Sequence, residues 1–295
     1  MNELQKPEPP LLPQYCVIIN GNQAASQRFI KEVCDAEVGS QVDYGEHLVS
    51  YDEELVAIQH LRRLVLCNLR LTAIDTFMGR LHMLTHVNLS FNRITDVSSI
   101  SLLPGLTVLD ISHNKIIAID AVRELTSLHT LRCHHNAIEC LEPIVNLTNI
   151  KELWVSDNAI IWQEFICLMP LSNLHALVKA GNPGDGKDKF PAFIRALRPS
   201  LRSLDGVDLV AETAADKFHG DSALAVVANA REGQAFLKST DGRVMVAQAQ
   251  STLPRHVRTI LDAAHAELEQ QAGIAANSGV KEINSDYRRG RRKQG

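Results

Sequence analysis

The middle of the chain predicts an α/β solenoid. In this fold stacked coils form an arc with a parallel β-sheet on its concave face, capped at both ends and followed by a mostly helical C-terminal extension. Three observations carry this. Leu84, Leu106, Leu128 and Ile150 recur at a fixed spacing of 22 residues. From each of them an apolar residue follows at the fourth and sixth positions: Val87 and Leu89, Leu109 and Ile111, Leu131 and Cys133, Leu153 and Val155. Asparagine then fills the ninth position every time, as Asn92, Asn114, Asn136 and Asn158, and an isoleucine comes two residues later: Ile94, Ile116, Ile138, Ile160.

A leucine three residues before another is equally a helix signal, but residues two apart share a face only on a strand. Each Leu-x-Leu is therefore a short strand. After it the chain turns inward and leaves backbone groups between coils, and an asparagine amide donates to and accepts from them at once. Losing such an amide costs about 1–3 kcal/mol in orphaned partners. The second half of each unit spaces its apolar residues more widely, as in Val97, Ile100 and Leu103, or Leu141, Ile144 and Leu147, which suits short helical turns on the convex side. A single unit cannot bury its own apolar face, so the coils stack.

A degenerate unit starts at Leu61, with Leu64, Leu66 and Leu71, and has Leu69 where the others have asparagine. A looser one starts at Leu174 and ends on Asn182, giving about six units over residues 61–182. Residues 1–60 form an N-terminal segment and cap, with Cys16 to Asn20 reading as a strand and Gln23 to Cys34 as a helix. Gly21 there is not part of a phosphate loop, because neither glycine-rich spacing is present. Residues 183–210 read as the C-terminal cap, residues 211–280 as a helical extension and residues 281–295 as a basic tail. Within the extension Ala211 to Phe218 and Ser222 to Ala230 are candidate helices. Lys238 to Ala247, centred on Asp241-Gly242, reads equally as a helix or a hairpin. Pro254 to Gln271 is a clearer helix, whose stripe of Val257, Ile260, Leu261, Ala264 and Leu268 fits docking onto the protein's own body or onto a partner.

Leu109-Asp-Ile-Ser-His-Asn-Lys-Ile116, Glu152-Leu-Trp-Val-Ser-Asp-Asn-Ala-Ile160 and the run from Phe193 through Pro199 to Leu204-Asp205-Gly206 resemble a known family. They are similar to the 22-residue class of leucine-rich repeats and its C-terminal capping motif, over about residues 60–210. That class includes a nuclear regulator of protein phosphatase 1, an outer-arm axonemal dynein light chain and a splicing factor. The resemblance implies a protein-binding scaffold. Repeat number, the Glu-Leu-Trp unit and the Leu-Asp-Gly cap look most like the dynein light chain, which implies a ciliary, axonemal or other cytoskeletal setting in the cytoplasm. A phosphatase regulatory subunit and a ribonucleoprotein component are the alternatives.

The third, fifth, seventh and eighth positions of each unit are expected to face outward on the concave side. They give a candidate partner-binding set: His86, Asn88, Phe91, Asp110, His113, Arg132, His134, Glu152, Trp154 and Asp157, with His135 beside them. Tryptophan and arginine among histidines and carboxylates is an interface composition. Asn92, Asn114, Asn136, Asn158 and Asn182 form the structural ladder. His113, His134 and His135 with Asp110 also invite an acid–base or metal reading. Polar residues on an exposed sheet explain them better, since adjacent strand residues point to opposite faces. No nucleophile elbow, paired catalytic carboxylates or zinc spacing is present, so neither enzymatic activity nor a metal or other cofactor is expected.

The net charge of −4 argues against nucleic acid as the main partner. It is uneven, because residues 281–295 carry +4 and the rest −8. In that tail Arg288, Arg289, Arg291, Arg292 and Lys293 read as a solvated or localisation segment that could hold an acidic surface. Met1 to Pro13 is polar, without the apolar stretch of a signal peptide, and no run of about 18 apolar residues predicts a membrane span. Six cysteines without C-x-x-C pairs read as reduced thiols.

Overall fold

The computed structural model describes residues 15–35, 41–43, 48–49, 55–57, 61–186, 189–209, 232–251 and 253–270. Candidate helices 211–218 and 222–230 and the basic tail lie outside these residues. Ten strands form one open sheet. In chain order they are β1 (Tyr15–Asn20), β3 (Leu48–Val49), β5 (Leu61–Cys67), β6 (His86–Asn88), β7 (Val108–Asp110), β8 (Thr130–Arg132), β9 (Glu152–Trp154), β10 (Ala176–Val178), β11 (Ser203–Leu204) and β12 (Val207–Asp208). From β1 through β5 to β11 every pairing is parallel, and antiparallel β3 and β12 close the two edges. A separate hairpin joins β2 (Gln41–Asp43) to β4 (Leu55–Ala57). The register keeps the repeat positions aligned from coil to coil: Val87 beside Leu109, Leu109 beside Leu131, Leu131 beside Leu153 and Leu153 beside Leu177.

The first, fourth, sixth and eleventh positions of each regular unit are buried, so Leu84, Val87, Leu89 and Ile94 stack on Leu106, Leu109, Ile111 and Ile116 in one continuous core. Each such side chain contributes roughly 1.5–3 kcal/mol. Short 3₁₀ turns, Ser98–Leu102, Asp120–Glu124, Glu142–Ile144 and Trp162–Leu168, form the convex side. Cys133 takes a sixth position as a small apolar group, and burial pushes its thiol up to about 12.

Coil joins coil through the asparagines. The Asn158 amide nitrogen donates to Cys133 O of the preceding coil and to its own Val155 O and Ser156 O, each at 3.1 Å, while its oxygen accepts from Ile138 N–H at 3.0 Å. Asn114 and Asn136 repeat the pattern, and Asn182 keeps it with two donations. Asn92 accepts twice, from Leu69 N–H and Leu71 N–H, because the first unit has no amide of its own. The residue before each asparagine supplies the geometry. At the eighth position Asn68, Phe91, His113, His135 and Asp157 have φ between 52° and 57°, and Gly181 has 80°. That left-handed residue swings the chain off the strand and aims the next side chain inward.

At the N-terminal end β1 extends the sheet, Gly21 N–H donates to Cys67 O, and helix α1 (Gln23–Asp35) sets Phe29 edge-on to Phe77 of the short helix α2 (Asp75–Met78). At the other end the sixth position carries Lys179 where the other regular coils have apolar residues. Its backbone N–H and that of Ala180 have no further coil to donate to, and Asp205 Oδ1 accepts both, at 2.6 and 3.0 Å. The Lys179 ammonium, 7% exposed, lies 3.2 Å from Asp205 Oδ2 and 2.8 Å from Asp185 Oδ1. The aspartate of the Leu-Asp-Gly cap thus replaces both a backbone carbonyl and a counter-ion. The cap helix α3 (Phe190–Leu197) covers this end with Phe190, Phe193, Ile194 and Leu197.

Among the described residues three helices follow, α4 (residues 232–238), α5 (Thr240–Ser251) and α6 (residues 255–270). Lys238 to Ala247 is therefore helical, and the hairpin alternative is wrong. Gly242 serves a close approach, since a Cβ there would stand 2.0 Å from Phe236 O. These helices share the solenoid's core rather than forming a separate unit. Met245, Ala249, Leu253, Val257, Leu261, Ala264 and Leu268 are buried in it, and α5 packs against Trp162–Leu168. The α6 stripe therefore docks on the protein's own body. His256 Nε2 lies 3.1 Å from Glu142 Oε1, and Arg123 grips the same carboxylate with both guanidinium nitrogens, holding Glu142 below the usual carboxylate range.

Two stability predictions follow from these ties. Asn158→Ala orphans three carbonyls and one N–H at least partly, and urea denaturation is expected to show a loss of about 1–3 kcal/mol; no measurable change would refute the ladder's importance. Asp205→Ala should cost about 3 kcal/mol by weakening the buried pair and orphaning two backbone N–H groups, and adding Lys179→Leu, which restores the apolar sixth position, should recover the ionic part of it but not the two lost hydrogen bonds. No recovery would place the cost elsewhere in the cap.

Candidate partner-binding face

The odd positions of each strand point away from the core, and they build the concave surface. The third positions are Arg63, His86, Val108, Thr130, Glu152 and Ala176, and the fifth are Val65, Asn88, Asp110, Arg132, Trp154 and Val178. Their side chains are half-buried by one another rather than fully solvated, except Arg63, which is exposed. At the C-terminal half of the sheet Arg132 lies over Trp154, its guanidinium carbon 4.9 Å from the ring centroid, and 3.7 Å from Glu152 Oε2. The His134 ring approaches the same indole at 5.9 Å. Arg132 Nε and His134 Nδ1 are shielded from solvent without a hydrogen-bond partner among the described residues. His86 Nδ1 meets Thr85 Oγ1 at 2.9 Å.

Two of the residues expected at this face spend their polar atoms on the fold. Asn88 Oδ1 accepts from Ser90 N–H at 2.9 Å, and Asp110 Oδ1 accepts from Ser112 N–H at 3.0 Å and Ser112 Oγ at 2.6 Å. They fasten the chain where it leaves the strand. The seventh position is not outward either, because Ser90, Ser112 and Ser156 are buried there. His134 alone among these brings a large ring to that position, so it stays half-buried beside Trp154.

Phe91, His113, His135 and Asp157 are not on the strands. Their left-handed backbone carries them onto the flank just beyond the sheet, where they form a row. The Phe91 and His113 rings stack at 4.1 Å with planes 10° apart, His113 stacks on His135 at 4.2 Å, and His135 Nε2 lies 3.4 Å from Asp157 Oδ2. Asp157 leans over Gly181, where a Cβ would meet its Oδ1 at 2.3 Å. Stacked imidazoles hold their nitrogens in parallel planes, so the lone pairs do not converge on one point. No group of three or more ligating side chains able to hold a metal ion occurs among the described residues. Nor is any described helix long and apolar enough to cross a membrane.

Residues 59–116 match the leucine rich repeat family. The fold is a leucine-rich-repeat solenoid. Two internalins of Listeria monocytogenes are similar to it in structure. Internalin C2 is 26% identical with a TM-score of 0.41, over 44% of this chain and 57% of that one. The internalin inlF is 23% identical with a TM-score of 0.42, over 51% and 49%. The chain spans about half the length of these internalins. No curated protein matches. The solenoid's pairing residues at its last coil, Lys179 and Asp185, were not singled out from sequence, although a lysine breaking the apolar sixth position was there to be read.

The histidines set the pH behaviour of this surface. Burial lowers the His134 and His113 pKa values, with His135 adding to the effect on His113 against the opposing pull of Asp110 and Asp157, and burial with Arg63 lowers His86. A lowered imidazole stabilises the fold fully above the ordinary 6.5, and that contribution is lost as the pH falls through 6.5 toward the folded value. Glu142, held low by Arg123, loses its contribution only below its ordinary 4.5. The melting temperature is expected to drop first as the pH goes from 6.5 to about 5. His113→Asn, which tolerates the left-handed backbone, combined with His134→Ser, the residue of three other coils, should flatten that first drop. A profile identical to that of the parent chain would sink this account.

Proposed function

We propose that the chain is a non-catalytic protein-interaction module whose partner docks on the concave sheet around Trp154. Leucine-rich-repeat solenoids generally offer protein-binding surfaces of this curved kind. The observation that carries the reading is the Trp154, Arg132, His134 and Glu152 cluster. It combines the aromatic and arginine anchors of interface centres with two shielded polar atoms that no group among the described residues satisfies. Each such atom costs about 1–3 kcal/mol, a cost that repacking against a partner relieves. His86 lies on the same face three strands away, and Asn88 and Asp110 fasten the chain where it leaves β6 and β7.

The further placement, a cytoplasmic scaffold in an axonemal or other cytoskeletal assembly, rests on the sequence resemblance of the Glu-Leu-Trp unit and the Leu-Asp-Gly cap alone. The phosphatase-regulator reading has the same support, and Glu152 with Trp154 is its strongest feature; unaltered phosphatase activity at saturating chain would dismiss it. The ribonucleoprotein reading also rests on resemblance, and salt-sensitive RNA retention that disappears when residues 287–295 are removed would favour it.

Affinity purification with the tagged chain and a Trp154→Ala variant tests the concave reading. Proteins held by the parent chain should be lost from the variant, and with the partner in hand calorimetry should give a loss of at least about 2 kcal/mol in affinity at an unchanged melting temperature. Equal retention by both would move the site off this face.

A further inference from the structure

The flank that carries the Phe91 row has a second row beside it. Positions eight and ten lie two residues apart around the inward asparagine, so both face outward. The tenth positions are Arg70, Arg93, Lys115, Ala137 and Ala159, in coils about 4.8 Å apart. Backbone bonds fix the alignment: Arg93 N–H donates to Leu71 O, Lys115 N–H to Ile94 O, Ala137 N–H to Ile116 O and Ala159 N–H to Ile138 O. Arg70, Arg93 and Lys115 are exposed and make no ion pair with any described residue. The acid closest in sequence to Arg93, Asp96, accepts from Ser98 N–H and holds its own turn. Phe91, between these cations and the sheet, is 56% exposed.

The array is therefore polarised. Three cations line its N-terminal coils, and two alanines with Asp157 lie at the other end. Left-handed backbone at a non-glycine residue costs roughly 1–2 kcal/mol, and Gly181 shows that glycine serves at this position. Phenylalanine there gains the stack on His113, yet Phe91 remains 56% exposed, so much of its side chain is left uncovered by the fold.

We infer that the strip of Phe91, Arg93, His113 and Lys115, extended by Arg70, docks an acidic segment of a protein partner that lays an apolar side chain on the Phe91 ring. The chain's net negative charge opposes the long-range attraction a nucleic acid would need, whereas a short acidic peptide requires only the local cations. The strip borders the concave cluster at His134, whose ring meets His113 edge-on at 5.2 Å, but its cations lie in coils N-terminal to Trp154, so a partner can engage either surface or both.

Fluorescence anisotropy of the full chain with a fluorescein-labelled peptide alternating glutamate and phenylalanine tests this. Binding is expected, weakening by at least about tenfold in Arg93→Glu/Lys115→Glu and also falling in Phe91→Asn, while Trp154→Ala leaves it unchanged. That last variant separates failure of the strip from failure of the concave reading. Circular dichroism should show the charge-reversed chain folded, because the two side chains are exposed and unpaired among the described residues. No peptide binding, equal binding by the charge-reversed chain, or tighter binding of a thymidine oligonucleotide than of the peptide would each overturn the proposal.

Discussion

Everything in this molecule depends on an amide that reaches across a coil boundary. A strand of three residues cannot hold a sheet by itself, and a coil's apolar residues are buried only if the next coil sits in register. The ninth-position asparagine supplies that register by bonding to two coils at once, donating to carbonyls of both and accepting from the earlier one. It can do so only because the preceding residue adopts a left-handed conformation. The same residue then stands on the outer flank with nowhere to bury its side chain. The tie that fixes the fold thus generates a row of exposed positions whose chemistry folding leaves unconstrained.

The ends of the array obey the same rule by different means. Where a seventh coil would supply carbonyls, Asp205 supplies a carboxylate, and its negative charge makes a buried lysine tolerable one strand away. At the convex side Glu142 does a comparable service, joining Arg123 of the preceding coil to His256 of the last helix. The buried ionic groups among the described residues therefore gather where the repeat stops or where another element leans on it, because there the backbone alone no longer satisfies its own donors and acceptors.

The two surfaces differ in how they are built. On the concave sheet the side chains pack against each other, so that Trp154, Arg132 and His134 form a half-buried patch already partly desolvated. On the flank the side chains stand out from a ladder of backbone bonds, and their charges remain in water. The first favours shape and apolar contact, and the second favours electrostatic attraction.

The sequence by itself determined the coil. Leucines at fixed spacing with partners two apart admit only a short strand, and an asparagine recurring at one position needs a buried backbone to bond. The N-terminal strand and helix and the Leu-Asp-Gly cap were legible for similar local reasons. Tertiary structure decided what side-chain periodicity does not encode. It put Phe91, His113 and Asp157 on the flank, because a positive φ reverses the strand's alternation. It committed Asn88 and Asp110 to fastening the backbone, since their bonds run to residues only two away but in a turn the pattern does not show. It resolved residues 240–251 as a helix whose Met245 and Ala249 are buried against the solenoid, with Gly242 allowing a close approach to the Phe236 carbonyl, and it laid the final apolar stripe on the solenoid's own convex side. Local spacing fixes what each coil is, whereas the destination of an outward or amphipathic face depends on which surfaces remain uncovered once all the coils have stacked.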